Sequence, residues 1–199
     1  MAVGGWQGCD LIGLSEVENR KVVADLLKFT PLNNYGYDII HKESPDLRGI
    51  DVGLIYKKKT FRPIFYDFYR VSFESDTASR TRDILYARGI VCGSDTLHVF
   101  VNHWPSRRGG KELSESRRMA AASILRQQVD SILTKNPFSK IVILGDLNDE
   151  PTDRSVYEIL GAKGDSLKIG GSILYNFMYL YKQKGEGSYK YEYEWNMLD

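Results

Sequence analysis

Apolar positions along the chain change their spacing in a definite order. "CDLIGLSEV" (9–17) is a short apolar run and predicts a buried strand. "ENRKVVADLLKF" (18–29) spaces Val22, Val23, Leu26 and Leu27 at helical intervals and predicts an amphipathic helix, ended by Pro31 and the Asn-Asn-Tyr-Gly stretch. Segments 36–43, 50–57 and 61–73 predict successive strands, and Gly-Ser-Asp joins 82–92 to 96–102 as a hairpin. The clearest helix is 114–136, with Ser114 placed to cap it and Leu125, Val129, Ile132 and Leu133 facing inward. "IVIL" (141–144) is an unbroken apolar run, which predicts a strand covered on both faces. A short helix near 153–160, a Gly-rich connection, a helical stretch around 173–182 and a strand pair in "GSYKYEYEWNMLD" complete the pattern. This order describes a mixed α/β domain spanning 1–199, without the regular alternation of a doubly wound sheet.

Charge narrows the chemistry. With 27 basic and 26 acidic residues among 199, no global polycation is available to hold nucleic acid non-specifically, so anion recognition must be local. Cys9 and Cys92 lie in apolar segments without metal-type spacing and read as buried thiols. No apolar run is long enough for a membrane span. The two thiols lean towards the cytoplasm, and secretion through a signal lost upstream of residue 1 is the alternative.

Polar residues cluster where the predicted strands end. In "IVILGDLNDEP" (141–151), Gly145 permits a turn or close approach, and Asp146 and Asn148, two apart, leave an extended chain on one side. A charged acceptor beside a donor–acceptor amide suits a phosphate handled with a metal ion; an Asx-type turn is the plain alternative. Glu16 ends the first strand, as a hard-metal ligand or as a solvated carboxylate near a helix start. His103 opens "NHWPSRRGG", whose Arg107, Arg108 and Lys111 form a local basic cluster favouring an anionic ligand. Arg82 begins another strand, where an ion pair with Asp83 or Asp76 is the alternative. Side chains at strand ends on one rim of a sandwich converge, which is how sites are assembled on such folds.

"LIGLSEVEN", "RGIDVGLIY", "TRDIL", "VFVNHWPSRRGG" and "ILGDLNDEP" together resemble successive signature segments of the endonuclease/exonuclease/phosphatase superfamily, the deoxyribonuclease-I-like fold, and in particular its bacterial endonuclease-like members. The resemblance implies a four-layer α-β-β-α sandwich of two mixed sheets flanked by helices. It implies a Mg²⁺-dependent phosphoester hydrolase, with Mn²⁺ as the alternative metal. Glu16 would hold the metal and Asp146 would activate water. Asn148 and His103 would hydrogen-bond the phosphate, with Arg82, Arg107 and Arg108 as further phosphate contacts. The first expectation for substrate is a nucleic-acid phosphodiester; lipid head groups, inositol phosphates and small nucleotides are the alternative. Members of the family also carry a metal-site asparagine on an earlier strand and a closing Ser-Asp-His segment. Neither is found here, and Asp199 matches the position that orients the closing histidine. The expectation is therefore a chain shortened at both ends, its terminal strands missing, and either impaired in catalysis or acting as a binding module.

Overall fold

The structure, a computed structural model, describes residues 8–73, 80–91, 93–164, 174–191 and 193–199. Cys92 lies outside them, whereas Cys9 is half-buried. The chain divides into two compact units. The first comprises the described residues up to Arg70, with Arg80–His103 and Lys140–Gly145; the second comprises 71–73, Trp104–Ser139 and the described residues from Asp146 onwards.

The first unit is a β-sandwich. Strands β1 (Leu11–Val17), β2 (Tyr37–His41) and β3 (Asp51–Lys57) form an antiparallel sheet ordered β1-β3-β2. Strands β4 (Phe61–Tyr69), β5 (Ile84–Val91), β6 (Asp95–His103) and β7 (Lys140–Asp146) form the second, ordered β4-β5-β6-β7. Period-two alternation supplies the interior: Val52 and Leu54 of β3 meet Leu85 and Ala87 of β5 and Val99 and Val101 of β6, with Ile40 and Phe61 in the same cluster. At about 25 cal/mol per Å² of apolar area removed from water, this layer is the main stabilising term of the unit. Pro63 is tolerated because β4 is an edge strand and its register shifts between Pro63 and Phe65.

Helix α1 (Arg20–Phe29) covers the other face of the three-stranded sheet, capped by Asn19, whose Oδ1 accepts from the Val22 N–H at 3.0 Å. Val23 and Leu27 point inward, whereas Val22 and Leu26 stay largely exposed. The apolar stripe is therefore narrower than the sequence suggests. Strand β7 differs too: it closes one edge of its sheet and Val142 is exposed, so the unbroken apolar run marks an edge strand and not one covered on both faces.

The second unit is built around helix α2 (Lys111–Lys135), packed on a π-helical turn (Ser155–Leu160). Its buried stripe runs Ser114, Arg118, Ala121, Ala122, Leu125 and Val129, with Ile132 and Leu133 half-buried. Gly110 occupies the N-cap, and Ser114, expected to cap the helix, lies one turn inside and donates its hydroxyl to the Gly110 carbonyl at 2.7 Å. The expected helix at 173–182 begins later. Leu174–Tyr175 (β9) pair in parallel with Ala162–Lys163 (β8), and helix α3 spans Met178–Gln183. Strands β10 (Tyr189–Tyr191) and β11 (Glu194–Asn196) form the closing hairpin. Among the described residues no helix is long and apolar enough to cross a membrane.

Candidate active site

Asp146 and Asn148 line one cavity of about 830 Å³ in the second unit, together with Arg107, Arg108, Lys111, Tyr189, Tyr191, Asn196 and Asp199. Local geometry fixes the pair. Gly145 has φ +111°, and a Cβ there would fall on the Asn102 carbonyl of β6, so only glycine lets β7 end where it does. The Asn148 N–H donates to Asp146 Oδ1 at 2.8 Å, and Asn148 itself adopts φ +53°, a conformation asparagine tolerates better than most residues. This is the Asx turn that stood as the plain alternative, now presented to a cavity. The Asn148 amide donates to the Trp104 carbonyl at 3.0 Å, and the Trp104 N–H donates to the Asp146 carbonyl at 2.9 Å. The Leu147 N–H is taken by the Leu198 carbonyl at 2.9 Å, which ties the loop to the closing hairpin and Asp199.

The two arginines of this loop differ. Arg107 is committed to the protein: Nε donates to the Asn148 carbonyl at 2.9 Å, one terminal nitrogen to Asn196 Oδ1 at 3.2 Å and the other to Asp153 at 2.9 Å. It holds Asn148 in place. Arg108 is exposed on the cavity wall, with no hydrogen bond or ion pair among the described residues. Lys111 pairs with Asp153 at 2.5 Å. Burial pushes the Asp153 carboxyl up, but Lys111 and Arg107 outweigh it and keep it ionised below its usual range.

A second cluster lies in the first unit. Arg82 is nearly fully buried and donates one terminal N–H to Asp46 Oδ2 at 3.0 Å. Asp83 meets Arg70 at 2.9 Å, and Asp76 lies outside the described residues. Burial opposes ionisation of Asp46, yet the Arg48 N–H and the Arg82 guanidinium hold its carboxyl below the usual range. His103, 6 % exposed, is pushed down to about 3 by burial and then by Arg82 and Arg48, so it is neutral at pH 7.

Glu16, also of the first unit, lies where the pairing of β1 with β3 slips between Leu14 and Val17. Its φ of +58° is strained for a glutamate, and its exposed carboxylate has no hydrogen bond or ion pair among the described residues. Exposed oxygen with no protein partner fits a hard divalent cation that keeps several waters. A further group escaped sequence reasoning: His41, Glu43 and Asp51 of the first unit each offer a ligand atom within 4.8 Å of the others. His41 Nε2 and Asp51 Oδ2 are 3.1 Å apart, and Asp51 Oδ1 accepts from the Ser44 N–H at 2.7 Å, so the pair is also satisfied as an internal hydrogen bond. His41 pairs with Gly53 across β2 and β3, and Asp51 lies two residues along β3 on the same face, a relation that only the strand register reveals.

No curated protein sequence matches the chain. Among solved structures, it is similar to the human Nocturnin catalytic domain with bound sulfate anion, at 18% identity over 74% of this chain and 54% of that one, TM-score 0.60. It is similar to ANGEL2, a 2',3'-cyclic phosphatase, in complex with adenosine-2',3'-vanadate, at 17% identity over 74% and 42%, TM-score 0.55. D. rerio TDP2 complexed with single strand DNA product gives 17% identity over 75% and 51%, TM-score 0.52. The chain spans about half the length of these structures, and the likeness establishes the fold: a mixed α/β sandwich of the deoxyribonuclease-I-like kind. The family model described as Endonuclease/Exonuclease/phosphatase family matches residues 1–199, and the chain belongs to that family.

Proposed function

We propose that this protein is a metal-dependent hydrolase of phosphoesters, with Mg²⁺ as the metal and nucleic-acid phosphodiesters as the substrate. The observation that carries the reading is the Asp146–Asn148 turn, held on a cavity whose wall also carries the exposed Arg108. Glu16 is the residue that would hold the metal, which when bound supplies charge neutralisation at a phosphoryl oxygen. Asp146 accepts the proton of the attacking water. Its Oδ1 already takes the Asn148 N–H, which fixes the carboxylate plane before substrate arrives.

Asn148, held by Trp104 and by Arg107, places its amide at the phosphate without reorganisation. His103 acts as a neutral hydrogen-bond donor, because burial, and then Arg82 and Arg48, keep a second proton off it at neutral pH. Arg108 contacts the phosphate directly. Arg107, whose donors are engaged by Asn148, Asn196 and Asp153, and Arg82, which donates to Asp46, position their neighbours. Asp199 belongs to the same cavity wall, anchored through its N–H to Ser188 Oγ at 3.3 Å.

The cavity volume favours one second reading, hydrolysis of a compact phosphoester such as a nucleotide or an inositol phosphate, since about 300–1,000 Å³ is the usual range for small-molecule sites. Incubation of the chain with Mg²⁺ and, in parallel, single-stranded DNA, an inositol phosphate and phospholipid vesicles separates these. DNA cleavage alone supports the nuclease reading, inositol-phosphate release supports the second, and Mg²⁺-independent or absent turnover on all three overturns both.

A further inference from the structure

Two aromatic rings in the cavity have no role in phosphate chemistry. Across β10 and β11, Tyr189 pairs with Asn196, Lys190 with Trp195, and Tyr191 with Glu194. Directly opposed residues of an antiparallel pair share a face, so Tyr189, Tyr191 and Asn196 lie on one side and Lys190 and Trp195 on the other. The two sides are finished differently. On one, the Lys190 ammonium sits 5.8 Å from the centre of the Trp195 ring, which stays 50% exposed. On the other, Tyr189 and Tyr191 are 52% and 61% exposed, and neither ring has an aromatic or cationic partner among the described residues. Both line the cavity that holds Asp146, Asn148 and Arg108.

We infer that Tyr189 and Tyr191 form a stacking platform for two successive bases of a single-stranded nucleic acid whose phosphate lies at Asp146, Asn148 and Arg108. The inference rests on the proposed phosphoester chemistry and adds the substrate class. Residues two apart on a strand are about 6.6–6.8 Å apart along it, a spacing that an unstacked strand spans with consecutive bases. Tyrosine offers each base a flat apolar face, and such stacking tolerates any sequence because every base has a π-face. The net charge of +1 argues the same way: without a general polycation, affinity for a strand must come from a few fixed cations and from rings. An inositol phosphate or a lipid head group has nothing to lay on these tyrosines.

The test compares kcat/KM on a thymidine oligonucleotide with that on an abasic oligonucleotide of equal length. The ratio of the two falls about tenfold for Tyr189→Ala and for Tyr191→Ala, through KM, and is kept by Tyr189→Phe and Tyr191→Phe. Equal losses on both substrates, or no loss on either, overturn the platform. Should the wild type cleave neither, the hydrolase reading fails by itself. Fluorescence anisotropy of labelled thymidine and abasic oligonucleotides in EDTA then decides the tyrosines separately, with selective weakening by alanine supporting them and equal affinities overturning them. A dimer that dissociates on Tyr189→Ala, with oligonucleotide affinity unchanged, would assign the face to a second copy and also overturn the inference.

Discussion

Among the described residues two that are not glycine, Glu16 and Asn148, hold left-handed backbone, and both carry proposed chemistry. Asn148 tolerates φ +53°; Glu16 at φ +58° does not, and the left-handed region costs an ordinary side chain about 1–2 kcal/mol. Strain kept at an exposed carboxylate that has no protein partner in the described residues is more easily understood as function than as folding. Glu16→Asn is therefore expected to raise the urea midpoint, by about 0.5–1 kcal/mol of stability, while weakening Mg²⁺ binding in calorimetry. An unchanged metal affinity would remove Glu16 from the metal.

His103 makes a second residue-level prediction. Its folded value, about 3, lies below the ordinary histidine value of 6.5, so between those limits the unfolded chain binds the extra proton. Stability due to this group is complete above pH 6.5 and is lost as pH falls towards 3, at a slope of up to about 1.4 kcal/mol per pH unit. His103→Gln removes that component, and urea titrations from pH 4 to 7 on both proteins would show a shallower pH dependence in the variant.

At the scale of elements, the buried stripe of α2 carries the less expected result. Arg118 and Asp149, both almost fully enclosed, pair at 2.7 Å, with the Ser155 hydroxyl donating to Asp149 at 2.6 Å and Ser114 accepting from Arg118 at 2.7 Å. This lattice fixes the helix against the segment that follows Asn148. Arg118→Leu leaves a buried carboxylate without its main partner and is expected to cost about 3–5 kcal/mol in chemical denaturation, far more than a surface pair would. Gly145 is the other element-level constraint. Gly145→Ala places a methyl group against the Asn102 backbone, so β7 must shift and both stability and turnover are expected to fall together.

The strands and the long helix were legible in the sequence because periodicity reports which side of an element is covered, as Val52, Leu54, Leu85 and Ala87 show. Periodicity cannot report position within a sheet, so "IVIL" looked enclosed and lies at an edge. It is also silent where polar residues replace apolar ones on a buried stripe, as Ser114 and Arg118 do. The Gly-Asp-x-Asn turn was readable because its chemistry is local. The commitment of Arg107 and Arg82 to internal carboxylates was not, since those partners lie between 36 and 46 residues away in the sequence.

Taken as a whole, the chain is a member of a hydrolase-bearing family with a balanced net charge, two compact units and a cavity in the second on which the Asp146 turn, an exposed arginine and two exposed tyrosines meet. The proposed reaction depends on Asp146 more than on any other group. Asp146→Asn keeps an oxygen able to accept the Asn148 N–H, so the turn survives and only the base is lost. The decisive measurement is the initial rate of phosphodiester cleavage by the wild type and by this variant in Mg²⁺, with circular dichroism confirming that both are folded. The proposed role predicts turnover by the wild type that EDTA abolishes, and a loss of about 10²–10⁴-fold in the variant. A folded Asp146→Asn protein working at the wild-type rate would contradict it.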